Sequence, residues 1–486
     1  MNANPPVENL SRNLPKRVHI IGICGVATSA LAIAFHKAGV IVTGSDKGFF
    51  PPVSTYLSEA GITYYAGWHP EKIAEAGEPD LIVAGGGGTS LSNPEIMYAK
   101  ERDIRLMSFA EALGTYVVKK RSIVVTGTWG KTTTSALLSY ILIQTGFDPS
   151  YFTGGLSLSH DTSAITDSEW SVAEGDEYQV AIWDKRPKFE LYAPTHLLLT
   201  SVSWDHADLY PTETAYFAAF EKLIRSLPLS STAQDGALIV CNDDAGVHKV
   251  LSATTVRAAT YGKTPSADYY FHDIEHTKSG LRLTITRNGA DYAIASPMLG
   301  RFNAENIAAA FAMAHTIGIA PEKIAAAIAS FKGIRRRFEK RLDGATTAKG
   351  VTVLDCHAPT PEKATSVLES VREVFDRNIF AVYEPNIGGR QRESISLNDH
   401  AFDAASTVII PRLTKLKVAD DGSAAPMDSV ELASTISKTH ADVRHIDDDA
   451  ALIELLATQP TKDDVVVFLG SHGFRGMIEE TIKRLS

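Results

Sequence analysis

Along nearly its whole length the sequence alternates short apolar runs with stretches of helical period. That alternation restricts the chain to α/β architectures: parallel sheets whose strands are joined by right-handed helical crossovers. The first run is RVHIIG (17–22), followed by a glycine-containing turn and the helical stretch TSALAIAFHKA (28–38), with Gly39 placed to end that helix. VIVTGSD (40–46) and DLIVAG (80–85) are the next strands, the latter running into four glycines. This first block is Rossmann-like and ends near residue 117. A second begins at RSIVVTG (121–127), passes through GTWGKTTT (127–134) into the helix TSALLSYILIQT, and includes HLLLTSV (196–202) and GALIVCN (236–242). It ends with an Ala-rich helix (303–318) and a short helix opened by Pro321. The third has strands VTVLDC (351–356), NIFAVYEP (378–385), STVIIPR (406–412) and DVVVFLGS (464–471).

At 486 residues the chain is too long for one ordinary core, so the three blocks read as three domains, 1–117, 118–338 and 339–486. The net charge of −10 argues against a nucleic-acid footprint, which needs a basic face. Three distant cysteines, Cys24, Cys241 and Cys356, exclude a disulfide framework and a structural zinc site, and fit a reducing compartment. The first residues lack the apolar core of a signal peptide, and no run of about eighteen apolar residues appears. The expectation is a cytoplasmic protein that binds neither membrane nor nucleic acid.

The chemistry is concentrated at Gly127, Thr128, Trp129, Gly130, Lys131, Thr132, Thr133 and Thr134. A strand, a tight glycine turn and a helix N-terminus in that order present backbone N–H groups to a phosphate. Lys131 would sit over the outer phosphates, and a threonine hydroxyl after it would ligate Mg²⁺. The general phosphate-loop pattern has glycine where this chain has Val125, so the match is to a shorter variant, T-G-T-x-G-K-T-T. Mg²⁺ needs further hard oxygens. Glu174, Asp176 and Glu177 follow one strand, and Asp205, His206 and Asp208 follow another; both groups stand at the sheet edge where ligands collect. Arg335, Arg336 and Arg337 lie at the junction of blocks two and three, where a guanidinium can reach phosphates when domains close. In the first block, Gly22 and Gly25 with Ser45 and Asp46 make an incomplete dinucleotide fingerprint, the acidic residue standing where a ribose hydroxyl is often gripped.

Taken together, GTWGKTTT (127–134), AEGDEY (173–178), SWDHADLY (203–210), GRFNAEN (300–306), IRRRFE (334–339) and LDCHAP (354–359) resemble the Mur ligases, over nearly the whole chain and in the same block order. The resemblance implies a Rossmann-like N-terminal domain holding a UDP-sugar, a central P-loop ATPase-type parallel sheet holding ATP and Mg²⁺, and a C-terminal Rossmann-like α/β domain that closes over both. HIIGICG (19–25), TGSDKGFFPPVSTYLSEAGI (43–62) and DEYQVAIWDKRPKFELYAPTHLLL (176–199) are most similar to the murein-peptide branch, which joins UDP-N-acetylmuramate to L-alanyl-γ-D-glutamyl-meso-diaminopimelate. The alanine-adding branch, and a nucleotide-binding sensor derived from such a ligase, are the alternatives.

Carried over residue by residue, the resemblance implies that Lys131 binds the ATP phosphates, that Thr132, Glu174 and His206 form the metal set, and that Asn303 and Asn306 lie near the adenine. It further implies that Arg337 reaches the ATP phosphates and that Asp355 begins the C-terminal ATP-side motif. Three departures stand out. Trp129 replaces a polar residue, residues 355–361 lose a double histidine, and the segment from Glu384 to Arg390 is altered. These leave the incoming amine open.

Overall fold

The computed structural model describes residues 14–49, 53–85, 90–206, 208–228, 232, 235–386, 390–414, 425–471 and 473–486. The chain resolves into two compact units. The first comprises residues 1–274, 282–296 and 303–332; the second comprises 275–281, 297–302 and 333–486.

Two sheets organise the first unit. The N-terminal one has five strands, in the order Thr63–Ala66, Ile41–Asp46, Arg17–Ile21, Leu81–Ala84, Arg105–Ser108, with every pairing parallel. Strand order reverses beside Arg17–Ile21, which leaves a crevice at the carboxyl ends of that strand and of Leu81–Ala84. Alternate residues serve opposite faces. Val18, Ile20, Leu81 and Val83 pack with Leu31 and Phe35 of the helix Val26–Lys37, whereas Ile21, Ile82 and Ala84 pack with Ile96 and Ala99 of the helix Pro94–Glu101. Both faces being covered, the strands can be apolar throughout.

The larger sheet has ten strands. Its centre is Arg121–Thr126, flanked in parallel by His196–Leu199 and Trp170–Gly175. At one edge Tyr269–Thr277 still pairs in parallel with Ala259–Gly262, but Gly280–Arg287 and Ala290–Ser296 beyond it break the parallel rule expected from the sequence. The last two are joined by only Asn288 and Gly289, a connection open to an antiparallel hairpin but not to a parallel crossover. Both residues take positive φ, 52° and 78°, as a type I′ turn requires.

The second unit has a six-stranded sheet. Thr352–Cys356, Val465–Gly470, Ile379–Glu384, Thr407–Pro411 and Val443–Ile446 run parallel, and Glu339–Leu342 adds an antiparallel edge. Leu354, Ala381, Val408 and Val467 face one core; Val353, Val382, Ile409 and Val466 face the other. The ends of the hairpin strands described above belong to this unit: Gly300 N donates to His276 Nε2 at 2.9 Å, and Arg301 Nε lies 3.1 Å from Glu373 Oε2. Among the described residues no helix is long and apolar enough to cross a membrane.

Candidate functional site

The loop expected to bind phosphate, residues 127–134, is shaped by the chain segment beside it. Gly127 has φ 132°, and a Cβ there would run into Thr200 Oγ1 and the backbone of Ser201. Thr128 Oγ1 donates to Ser203 O at 2.9 Å, Trp129 N donates to Ser201 Oγ at 3.0 Å, and Thr200 Oγ1 donates to Trp129 O. The strand beginning at His196 ends at Leu199, three residues short of the expected 202, as Ser201 and Ser203 bond the loop and Val202 N donates to Asp244 Oδ1. The helix Lys131–Gln144 then starts with Gly130 at φ 84° and with no side-chain cap, so its first N–H groups are presented to a ligand. Trp129 leaves its indole 59% exposed.

Glu177 organises the charges around this helix. Lys131 Nζ donates to its two carboxylate oxygens at 2.8 and 3.1 Å. His206 Nε2 lies 3.6 Å from Glu177 Oε1, Tyr216 OH donates to the same oxygen at 3.4 Å, and Tyr210 OH donates to the Glu177 carbonyl at 2.6 Å. Glu177 is only 1% exposed, so these partners replace water around a buried charge. Glu177 in turn raises the His206 pKa: its hydrogen bond favours the imidazolium, against the opposing effect of burial.

On the same strand end, Glu174 accepts from Thr132 Oγ1 at 3.0 Å and from Gly154 N at 2.6 Å. Thr132 and Glu174 thus bring two hard oxygens together, a donor set suited to Mg²⁺ that also keeps nucleotide and water oxygens. Among the described residues no three His, Cys, Asp or Glu side chains converge as a cage. Asp176 pairs with Lys188, Oδ2 to Nζ 2.5 Å. Burial would raise the Asp176 carboxyl, but the ammonium groups of Lys188 and Lys131 bring it below its ordinary value.

Asn303 and Asn306, on the helix Phe302–Thr316, form the floor of the loop. Asn306 Nδ2 donates to Asn303 Oδ1 at 2.9 Å, and Thr134 Oγ1 donates to Asn306 Oδ1 at 3.2 Å. A Cβ on Gly130 would stand 2.7 Å from Asn306 Oδ1. Gly130→Ala is therefore expected to shift both loop and asparagine, raising the KM for ATP about tenfold, equivalent to about 1.4 kcal/mol. Steady-state phosphate release checks this; an unchanged KM would mean that the asparagine floor yields freely.

The N-terminal turn is built on the strand Ile41–Asp46. Gly22 N and Ile23 N donate to Ser45 O at 2.8 and 3.1 Å, and Cys24 N donates to Asp46 Oδ2 at 2.8 Å. Gly25 precedes the helix Val26–Lys37, and Thr28 Oγ1 donates back to Gly22 O at 2.6 Å. The Ser45 side chain is fully buried and donates to Glu95 Oε2 at 2.5 Å, so Ser45 shapes the turn through its carbonyl. Glu95 also accepts from Tyr65 OH at 2.7 Å and His69 N at 2.8 Å. A cleft of about 890 Å³ runs from this turn to the central sheet, lined by Gly22, Gly25, Asp46, Glu174, Asp176 and Lys188 among others. Clefts with mostly apolar walls and a few placed polar groups are typical ligand sites.

Arg337 and Asp355 belong to the second unit. Arg337 is exposed. The neighbouring Arg336, at φ 60°, donates to the carbonyls of Gly470 and Ser471 at 2.9 Å and lies 3.4 Å from Asp355 Oδ1. Asp355 is buried, and burial raises its carboxyl above the ordinary value despite Arg336 and Arg341 nearby. Arg390 is buried and donates to the carbonyls of Met427 and Thr414; residues 387–389 of the altered segment lie outside the described residues.

Reasoning from sequence left out Glu95 and Lys188, and it offered Glu177 as a carboxylate for Mg²⁺, whereas the structure places it against Lys131 and His206. Glu177 and Lys188 lay inside quoted motifs, and only their partners set them apart. Glu95 follows the helix-start pair Asn93-Pro94, where a carboxylate ordinarily signals a solvated first turn.

Residues 17–121 match the family described as Mur ligase, catalytic domain; residues 125–314 match the Mur ligase middle domain, and residues 336–472 the Mur ligase glutamate ligase domain. The chain is 32% identical over 467 residues to the UDP-N-acetylmuramate–L-alanine ligase of Paenarthrobacter aurescens (strain TC1), covering 94% of each protein. The UDP-N-acetylmuramate–alanine ligase of Thermotoga maritima shares the fold at a TM-score of 0.77 and 22% identity, over 96% of this chain and 98% of that one. A murein peptide ligase of Psychrobacter arcticus 273-4 superposes at 0.66 with 25% identity, over 97% and 98%.

Proposed function

Since this chain belongs to the Mur ligase family, whose members are ATP-dependent amide-forming ligases, we propose that it joins the carboxylate of UDP-N-acetylmuramate to the amine of L-alanine. The observation that carries the reading is the continuous cleft between the Gly22–Asp46 turn and the Thr132–Glu174 pair. Its volume of about 890 Å³ suits a nucleotide sugar whose carboxylate must meet a phosphoryl group beside that pair. The curated relatives at about 30% identity carry the alanine-adding name, which supports alanine over the tripeptide expected from sequence.

In this reading residues 1–117 hold the UDP-sugar, with Gly22, Gly25, Ser45 and Asp46 forming the turn that receives it. Residues 118–338 hold ATP, with Arg337 assigned to its phosphates, and residues 339–486 contribute Asp355. A carboxylate oxygen attacks the γ-phosphorus of ATP; the bond to the bridging oxygen breaks, and ADP leaves with its electron pair. Gly127, Thr128, Gly130 and Thr133 surround the phosphates with the loop, and Lys131 moves onto them. Asn303 and Asn306 fix the nucleotide end. Thr132 and Glu174, with His206, would hold Mg²⁺, which supplies charge neutralisation at the transferring phosphoryl. The neutral amine then attacks the carbonyl carbon of the acyl phosphate, loses a proton, and inorganic phosphate departs to leave the amide. Excluding water protects the acyl phosphate from hydrolysis. The reaction needs ATP and a UDP-sugar, so the proposed location is the cytoplasm.

A second reading is favoured by one observation. The hairpin Gln179–Ala181/Asp184–Pro187 borders the cleft and carries the Asp-Lys-Arg-Pro-Lys-Phe run that resembles the murein-peptide branch. There the amine would be L-alanyl-γ-D-glutamyl-meso-diaminopimelate. Phosphate release with ATP, Mg²⁺ and UDP-N-acetylmuramate, offering alanine or the tripeptide separately, decides. Release with alanine alone is the expected result, and release with the tripeptide alone would replace it with the second reading. Silence with both would leave a nucleotide-binding sensor.

A further inference from the structure

We propose that Lys188 binds the carboxylate of the acid substrate, an assignment that rests on reading that substrate as UDP-N-acetylmuramate. The cleft has carboxylates at both ends: Asp46 at the glycine turn, and Glu174 with Asp176 beside the phosphate loop. An incoming carboxylate meets like charge at the second end unless a cation stands there. Lys131 is engaged with the buried Glu177, and its task lies with the nucleotide phosphates. Lys47 follows Asp46 at the opposite end. Lys188 is the lining ammonium paired with Asp176.

Its position is fixed from below. Phe189 is fully buried, Lys188 N donates to Tyr178 O at 3.0 Å, and Phe189 N donates to Asp176 O at 3.2 Å. The preceding hairpin is clipped by Arg186 on Asp184 and by Lys185 on Gln179. The ammonium rests 2.5 Å from Asp176 Oδ2 and 5.6 Å from the centre of the Tyr178 ring. An ammonium has three N–H donors, so one bond to Asp176 leaves others to turn towards a ligand in the cleft. In this arrangement Asp176 aims Lys188, and Lys188 offsets the charge that would repel the substrate.

The bland alternative is that Lys188 only neutralises Asp176, and two sugars with two variants separate the roles. Calorimetric titration of the full chain with UDP-N-acetylmuramate and with UDP-N-acetylglucosamine, which lacks the lactoyl carboxylate, reads the carboxylate contact directly. Lys188→Met is expected to weaken the muramate about thirtyfold while leaving the glucosamine nucleotide unchanged. Lys188→Arg should recover part of the loss, and Asp176→Asn/Lys188→Met, which relieves the repulsion but still lacks the ammonium, should stay well short of the native affinity for the muramate. Equal weakening of both sugars, or full recovery of muramate binding in the double variant, would overturn the assignment. If the unaltered chain bound neither sugar, the acid-substrate reading would fall, and the role of Lys188 with it.

Discussion

Lys131→Ala is expected to abolish phosphate release, by about a thousandfold or more, while UDP-N-acetylmuramate still binds. Removing one preorganised group that meets developing charge ordinarily costs 10²- to 10³-fold, roughly, and Lys131 bears a full charge at the phosphate-binding loop. The same substitution has a second effect that the sequence alone did not suggest. Glu177, 1% exposed, would lose the cation that donates to both of its oxygens. Breaking a buried pair from one side costs about 3–5 kcal/mol, so the variant should also melt earlier. Lys131→Ala/Glu177→Gln removes the orphaned charge and should regain stability without regaining activity. Turnover returning with stability would show that Lys131 acts through the fold and not on ATP. Calorimetry with UDP-N-acetylmuramate provides the control, since the glycine turn lies at the other end of the cleft.

Glu174→Gln should lower turnover about a hundredfold and raise the Mg²⁺ concentration needed for half-maximal rate. In the native side chain one oxygen accepts from Thr132 and the other from the Gly154 amide. A glutamine must point its NH₂ group at one of these donors, so the substitution removes a charge and also disturbs the threonine that shares the proposed ion. A Mg²⁺ titration of initial rates distinguishes this from simple loss of structure. If the half-saturating concentration did not move, Glu174 would be excluded as a metal ligand.

The phosphate loop was legible because each of its parts has a local signature: an apolar strand, glycines at the positions that take positive φ, and threonines opening a helix. The parallel core was legible for a similar reason, since continuous runs such as VVVFLG can only be strands buried on both faces. The edge hairpin at Asn288-Gly289 carried an equally local mark, an Asn-Gly pair between alternating runs, but the surrounding strand–helix rhythm masked it. Glu177 and Glu95 were hidden for another reason. Nothing near either residue in sequence says that its carboxylate is buried, because their partners come from other strands and helices: Lys131 lies 46 residues from Glu177, and Ser45 lies 50 from Glu95. The N-x-x-N pair was visible as a motif, yet its role in propping Gly130 through Asn306 appears only when the helix Phe302–Thr316 meets the loop.

The two units of the chain are not two lengths of sequence. The polypeptide passes from one to the other at 274/275, 281/282, 296/297, 302/303 and 332/333, five crossings in all. A relative's C-terminal portion grafted at a single joint near 332 would therefore arrive without the two short segments it packs with. The incoming counterpart of Glu373 would face a foreign His276 and Arg301, which here lie 3.6 and 3.1 Å from that carboxylate. Recombination among these enzymes is constrained accordingly: the heritable module is three pieces that travel together, and shuffling at block borders breaks it.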